Sequence, residues 1–171
     1  MTEAPRVEVA GLAITGELWL AAPPARVFRA LTTPELLEAW WGDAEVYTTH
    51  DWQLRAEVGT SWRCEVRLRN GRRHHIDGRV LEVVPERRLR LSWRPSWDAS
   101  PLTEVRFELE AQRGGTLLAL HHGGFRPDFT GLETHRVGWP WVLAWLQASV
   151  ARVQPGSSVP GCTRATTEDG P

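Results

Sequence analysis

Histidines are the side chains best suited to chemistry in this chain, and four of the six occur as adjacent pairs, His74-His75 and His121-His122. Both pairs fall in segments with the alternating pattern of β-strands, where neighbouring side chains point to opposite faces. Neither pair can therefore clamp one metal ion, and we predict no metal site. The same alternation turns His122 inward together with Leu120. There it either serves a bound molecule as an acid or hydrogen-bond donor, or is satisfied by a neighbouring side chain.

Nucleophiles and acid–base pairs are poorly arranged for catalysis. The sequence has no Gly-x-Ser-x-Gly motif, and Cys64 shares the apolar phase of its strand, where a thiol packs as a small hydrophobic side chain. An acid–base function for His122 would need Asp77 or Glu65 on the same face, but strand alternation puts both carboxylates on the solvent side. The glycine pairs at 114–115 and 123–124 do not lead into a Gly-Lys-Ser helix, so we interpret them as turns. No cofactor is expected.

Aromatic residues form the remaining constellation, with ten Trp, four Phe and one Tyr. Each Trp can bury about 150–250 Å² while keeping one N–H donor, so these rings either fill an oversized core or wall an apolar cavity. We expect a cavity that binds a hydrophobic or aromatic molecule. Its predicted lining is made of inward-facing side chains and two helical tryptophans, namely Trp40, Trp41, Trp62, Cys64, Trp93, Phe107, His122, Trp141 and Trp145.

Two short helices and a run of strands must position these side chains. Residues 12–22 form the first predicted strand, and Pro24 and Pro34 each stand at the first position of a short helix. Trp62 and Cys64 begin an alternating strand that ends at Asn70-Gly71, the strongest short-range signal for a β-hairpin. With the return strand at 72–84, the segments starting near residues 46, 88, 103 and 116 bring the predicted total to seven antiparallel strands.

The last apolar segment, through about residue 153, has helical spacing and is apolar around most of its circumference, so we expect it to be buried on several sides. Pro140 either begins this helix or kinks it. A sheet with one apolar face needs a cover, and this is the one predicted element long and apolar enough. The sequence thus predicts an α+β domain over residues 12–153, between a flexible N-terminus at 1–11 and a disordered tail at 154–171.

Four separated motifs resemble the Hsp90-ATPase-activator homologue family of the START-like, or Bet v 1-like, superfamily. They are LTTPELLEAWWG at 31–42, GRVLEVVP at 78–85 with Leu89 and Trp93, GTLLALHHGGF at 115–125, and Gly138-Trp139 with Leu143 and Leu146. The resemblance implies a helix-grip fold, in which a seven-stranded antiparallel sheet wraps around a long C-terminal helix and encloses a cavity. Eukaryotic co-chaperones of the family add a separate N-terminal domain, for which we expect no room before residue 12.

Composition excludes several classes of partner. The chain has 20 basic residues, all of them Arg, and 21 acidic ones, so its net charge is −1. It therefore has no excess of positive charge with which to bind nucleic acid. The longest apolar run, at 139–146, is far shorter than the ~20 residues of a membrane span. The N-terminus lacks the layout of a signal peptide, and two distant cysteines indicate no disulfide framework. We therefore expect a cytoplasmic protein.

Two other functions remain open beside ligand binding. Arginines on neighbouring strands, among them Arg88, Arg90 and Arg94, could form a basic outer face that docks an acidic protein, as in an Hsp90 activator. The acids interspersed with them, such as Glu82, favour instead an ordinary solvated sheet surface. A cyclase- or dehydratase-like enzyme is the second alternative, and it depends on His122.

Overall fold

The structure, a computed structural model, describes residues 3–99, 101–128 and 130–152. Within them, three helices accompany one antiparallel sheet of nine strands in the order β1-β2-β9-β8-β7-β6-β5-β4-β3. The strands are β1 (Arg6–Ala10), β2 (Ala13–Leu20), β3 (Gly42–Asp43), β4 (Tyr47–Gln53), β5 (Ser61–Leu68), β6 (Arg73–Val84), β7 (Arg88–Pro95), β8 (Thr103–Gln112) and β9 (Gly115–Gly123). The helices are α1 (Pro24–Thr32), α2 (Pro34–Trp40) and α3 (Gly131–Ala151).

The α+β class, the two short helices and the long last helix are as predicted, but the number of strands is not. Strand β1 pairs with β2 from Arg6↔Glu17 to Ala10↔Ala13, so the sheet begins inside the segment expected to be a flexible N-terminus. All five residues of β1 except Val7 are exposed, which weakens the alternation by which a strand is recognised. Strand β3 has two residues and no readable pattern. The predicted tail at 154–171 lies outside the described residues.

The β5–β6 hairpin confirms the turn predicted at Asn70-Gly71. Trp62, Cys64 and Val66 are buried while the residues between them are more exposed. Gly71 has a φ of 83°, a left-handed conformation that glycine adopts without a steric penalty. The Asn70 side chain accepts a hydrogen bond from the backbone N–H of Arg72 at 3.0 Å. The hairpin thereby sets the register that aims Trp62 and Cys64 into the interior.

Helix α3 covers part of the apolar inner face of the sheet. It packs against β1 and β2, and a Cβ atom added to Gly16 of β2 would lie 3.2 Å from Cδ1 of Leu143, so this glycine permits a close approach. Pro140 lies inside the helix. The expectation that α3 is buried on several sides is wrong. One face, with Trp139, Leu143 and Leu146, is buried, whereas Trp141 on the opposite face is 46% exposed.

Candidate functional site

A cavity of about 570 Å³ lies between helix α3 and the inner face of β4, β5 and β6. Aromatic and aliphatic side chains dominate its lining. The lining residues are Trp41, Tyr47, Val66, Leu68, His74, Ile76, Trp93, Trp97, Glu133, Thr134, His135, Val137, Gly138, Trp139, Trp141 and Val142. The rim is exposed, since Trp97, Val137 and Trp141 have exposed fractions of 37%, 45% and 46%. The cavity is therefore an apolar cleft with an open mouth.

The position of α3 explains why the cavity opens at this place. Because the helix packs on β1 and β2 at one edge of the sheet, strands β4 to β6 at the other edge keep part of their inner face free. The cross-strand register places Thr49, Val66 and His74 side by side there, with Tyr47 opposite Leu68. Of these residues, Tyr47, Val66, Leu68 and His74 belong to the sheet wall, and the first half of α3 forms the facing wall.

Buried tryptophans hold the inner wall of the cavity in place. Trp41, Trp93 and Trp139 lie in mutual contact, with ring centroids 6.0 Å apart for each of the pairs Trp41–Trp93, Trp41–Trp139 and Trp93–Trp139. Each of the three indole N–H groups donates to a side chain: Trp41 to Tyr47 Oη at 3.2 Å, Trp93 to His135 Nε2 at 3.1 Å and Trp139 to His122 Nδ1 at 3.0 Å. Because each N–H group has a hydrogen-bond partner, the apolar ring surfaces can form the wall without leaving a buried donor unpaired.

Two histidines accept these hydrogen bonds, and both are held neutral. His122 Nδ1 accepts from Trp139, so its proton is on Nε2, which lies 2.8 Å from Thr103 Oγ1. His135 Nε2 accepts from Trp93, so its Nδ1–H donates to the carbonyl of Gly131 at 2.7 Å. Burial lowers the pKa of His122 well below its ordinary value, and the neighbouring imidazoles of His135 and His121 disfavour a further positive charge there. Burial also lowers the pKa of His135.

Polar groups at the cavity wall are few. The Tyr47 hydroxyl accepts the Trp41 N–H, and burial raises the pKa of this phenol far above its ordinary value. His74 meets Trp97 edge to face, with ring centroids 5.7 Å apart. Glu133 is the one lining residue with a formal charge, and its carboxylate binds Arg136 Nε at 2.7 Å. Within the described part of the chain, no arginine belongs to the lining. The cleft is suited to an uncharged apolar molecule.

The structure distributes the nine predicted site residues among three settings. Trp41, Trp93 and Trp141 line the cavity. His122 and Trp145 contact lining residues without reaching the cavity, His122 through Trp93 and Trp139, and Trp145 through Tyr47. The third setting is the hydrophobic core outside the lining, where three of the four residues also contact a lining tryptophan; its members are Trp40, Trp62, Cys64 and Phe107.

Core packing accounts for the four residues outside the lining. Trp62 is 1% exposed, stacks on Trp52 at 6.1 Å and donates its N–H to the carbonyl of Ser92 at 3.0 Å. Trp40 donates to the carbonyl of Ala30 at 2.9 Å. Burial raises the pKa of the Cys64 thiol to about 12, so this cysteine is not a nucleophile at neutral pH.

Sequence reasoning missed five lining residues with aromatic or imidazole rings, which are Tyr47, His74, Trp97, His135 and Trp139, and the polar lining residues Glu133 and Thr134. A signal existed for two of them. His74 shares a strand phase with Ile76, and Trp139 stands next to Gly138 in one of the four recognised motifs. No pattern marks Tyr47 or Trp97, because their inclusion depends on where α3 crosses the sheet.

The described residues form neither a metal-binding cluster nor the acid–base pairs considered for His122. Among them, His, Cys, Asp and Glu do not come together in groups of three or more that could hold a metal ion. His122 is enclosed, whereas Asp77 pairs with Arg94 at 2.6 Å and Glu65 pairs with Arg67. The acid–base pairs considered for an enzyme are thus not formed. Of the described helices, none has the length and apolarity that crossing a membrane requires.

A helix-grip α+β protein with an aromatic cleft is the class that this fold and site define. The sequence matches the family described as Activator of Hsp90 ATPase homolog 1-like protein over residues 21–151. That match spans most of the chain, and the chain belongs to this family. No curated protein matches the sequence.

Solved structures of bacterial proteins have the same fold. Protein CV1439 from Chromobacterium violaceum is 27% identical, with a TM-score of 0.76 over 84% of this chain and 100% of that one. Protein MLL2253 from Mesorhizobium loti is 26% identical, with a TM-score of 0.67 over 83% of this chain and 98% of that one. The AHSA1 (SPO3351) protein from Silicibacter pomeroyi is 23% identical, with a TM-score of 0.69 over 81% of this chain and 97% of that one, and shows the fold alone.

Proposed function

We propose that this protein binds a hydrophobic or aromatic small molecule in the cleft between α3 and strands β4 to β6, without covalent chemistry. The observation that carries the proposal is the cavity itself. Its volume of about 570 Å³ falls within the range of about 300–1,000 Å³ typical of small-molecule sites. Aromatic and aliphatic side chains form most of the wall, and an open rim at Trp97 and Trp141 gives a ligand access.

Gly138 offers a direct test of the site. It lies on α3 in the cavity lining, and a Cβ atom added there would have no heavy atom within 4 Å. Gly138→Phe therefore puts a ring into the cleft without a backbone clash. The replacement also removes a glycine from a helix interior, and because phenylalanine has a higher helix propensity than glycine, it does not by itself weaken the helix.

Binding is measured with N-phenyl-1-naphthylamine, whose emission rises in apolar surroundings while the emission of nearby tryptophans falls. We expect saturable binding by the native chain and at least a tenfold weaker affinity for Gly138→Phe, because the new ring occupies the ligand's volume. Ala148→Phe is the matched control, since Ala148 lies on the same helix, exposed and outside the lining. Equal affinities for the three proteins, or no saturable binding, would contradict the proposal.

A second candidate is a protein-interaction function of the Hsp90-activator kind, which the family match supports. The arginine-rich outer face is its proposed docking surface. Charge pairing counts against a strong basic field there, since Arg88 binds Glu82 and Glu108 at 3.0 Å each and Arg90 lies near Glu82 and Glu104. The test is the ATPase rate of a purified Hsp90 with and without this protein. Stimulation that Arg88→Glu/Arg90→Glu abolishes would support the candidate, and an unchanged rate would exclude it.

A further inference from the structure

Tyr47 carries a hydrogen-bond donor that the protein leaves without an acceptor. The hydroxyl oxygen accepts the Trp41 N–H at 3.2 Å, and both residues line the cavity, so this hydroxyl lies at the cavity wall. A phenol also has one hydrogen to donate. Across the described residues, the structure records no acceptor for it. A donor without a partner in an apolar site is unfavourable, and a suitable ligand acceptor would restore the hydrogen bond.

The hydroxyl remains a donor at every physiological pH and holds a defined position. Burial raises the pKa of Tyr47, so the phenol does not ionise there. The ring packs edge to face on Trp145, with centroids 5.4 Å apart and planes at 82°. Hydrogen bonding on one side and ring packing on another fix where the O–H group can point.

Other polar groups of the lining are already occupied or reach solvent. His135 uses both ring nitrogens, one on Trp93 and the other on Gly131. The Thr134 hydroxyl donates to the carbonyl of Thr130 at 3.4 Å, and Glu133 is paired with Arg136. His74 also borders a polar surface groove on the other side, where water can reach it. Among the described lining residues, the half-buried Tyr47 hydroxyl is thus the donor that has a fixed position and no recorded protein acceptor.

Charge around the cleft restricts the acceptor further. Among the residues that the structure describes, no arginine lines the cavity, and the one formal charge of the lining is the Glu133 carboxylate at the mouth. A ligand carboxylate would enter an apolar site without a counter-ion, which is costly. A carbonyl oxygen needs only the hydrogen bond.

We propose that the ligand is an uncharged, largely aromatic molecule with a carbonyl-type oxygen that accepts the Tyr47 O–H. This inference rests on the proposed function and narrows the class of ligand for the same cleft. Tyr47 then determines specificity by rewarding an acceptor at one point of an otherwise apolar surface.

Three probes of nearly equal shape test this inference: 2-acetonaphthone, its hydrocarbon isostere 2-isopropenylnaphthalene, and the anion 2-naphthoate. Dissociation constants are measured by tryptophan quenching for the native chain, Tyr47→Phe and the control His74→Leu. The decisive quantity is the ketone-to-hydrocarbon affinity ratio in the native protein divided by the same ratio in Tyr47→Phe. Differences in probe hydration cancel in this double comparison, whereas a new hydrogen bond from the freed Trp41 N–H to the ketone would reduce the measured difference.

We expect Tyr47→Phe to lower the ketone-to-hydrocarbon ratio about tenfold, the value of one buried hydrogen bond. His74→Leu should leave the ratio unchanged, and the native chain should bind naphthoate more weakly than the ketone. Should Tyr47→Phe not fold, the infrared carbonyl stretch of the ketone bound to the native chain gives the answer. A shift below its position in hexane shows the hydrogen bond, and no shift refutes it.

The outcomes separate the two proposals. If the ketone and the hydrocarbon bind but the ratio does not depend on Tyr47, the cleft binds ligands and the inference about the carbonyl is wrong. If the ratio instead depends on His74, the donor is wrongly assigned. If no probe binds, the proposed function itself fails, and the carbonyl inference fails with it.

Discussion

Two groups of tryptophans differ in how the protein treats their N–H donors. The buried tryptophans, defined as Trp40, Trp41, Trp52, Trp62, Trp93 and Trp139, all donate to an oxygen or a histidine nitrogen. The rim tryptophans, Trp97 and Trp141, are 37% and 46% exposed, and the described structure records no partner for either N–H. The difference separates rings that build the wall from rings that border the mouth, although the residue type is the same.

The number of aromatic residues alone therefore does not indicate a binding site. A buried indole whose N–H is satisfied acts as a rigid filler and positions its neighbours. An exposed indole beside a cavity has apolar surface still to bury, which a ligand can cover. Predictions about the two groups therefore differ in the quantity they change: unfolding free energy for the buried tryptophans, and ligand affinity for the rim tryptophans.

Trp62→Ala should have the largest effect on stability. Trp62 is 1% exposed, contacts Trp52 and Trp93 and donates to Ser92, so its truncation leaves a cavity and an unsatisfied carbonyl. We expect the free energy of unfolding to fall by about 3–5 kcal/mol. Urea denaturation followed by far-ultraviolet circular dichroism measures it. A loss below about 1 kcal/mol, typical of exposed sites, would show that the buried group is loosely packed.

Acidification should have the second-largest effect, a fall in the free energy of unfolding that arises at the buried tryptophans and their histidine partners. His122 and His135 accept the N–H groups of Trp139 and Trp93, and burial lowers the pKa of both histidines. The unfolded chain takes up protons at these positions as the pH falls through about 6.5, whereas the native state stays neutral. Stability should therefore fall with falling pH, by up to about 1.4 kcal/mol per pH unit for each histidine.

Urea unfolding between pH 7 and pH 5, above the range of the carboxylates, measures this dependence. His135→Gln removes one titrating group and leaves a side chain that can still accept from Trp93, so the pH slope should drop by about half. A native-protein stability that rises on acidification would show that the histidines are charged when folded. It would also remove the argument for the assigned tautomers.

Much of the fold follows from local patterns. Alternation at Trp62, Cys64 and Val66, together with the turn at Asn70-Gly71, predicts the β5–β6 hairpin because burial on one face and glycine at positive φ are local requirements. Strand β1 is not predicted, because an exposed edge strand has no buried face and its sequence therefore lacks the alternation of apolar and polar residues.

The lining is harder to predict than the fold because it depends on the rotation and position of one helix. Helix α3 has two apolar stripes, one with Trp139 and one with Trp141, and hydrophobicity does not decide which of them faces the sheet. The predicted lining includes Trp141 and leaves out Trp139, whereas both line the cavity, Trp139 buried at the inner wall and Trp141 at the rim. Tyr47 enters the lining for the same reason, since its strand lies at the edge that α3 leaves uncovered.

Gly138→Ala should give a smaller, stabilising change. A methyl group at this position meets no heavy atom within 4 Å, and alanine favours the helical state. We expect a gain of about 0.5–1 kcal/mol in unfolding free energy, with little effect on ligand affinity because one methyl group occupies a small part of the cleft. Destabilisation would mean that the cavity wall at Gly138 is already in contact with another group. Thermal and urea unfolding of the single variant decide the matter.

Trp141→Ala should have the smallest effect on stability and the clearest effect on binding. The side chain is 46% exposed and borders the cavity, so its removal changes the unfolding free energy by no more than about 0.5 kcal/mol. A ligand loses one ring of its surroundings, and we expect its affinity to fall about three- to tenfold, as for about 1 kcal/mol of lost aromatic contact. Titration with N-phenyl-1-naphthylamine, alongside urea unfolding, compares both quantities in one protein. If Trp141→Ala instead destabilises the chain as much as Trp62→Ala does, the two groups of tryptophans are a single core, and the mouth of the cleft is part of the packing.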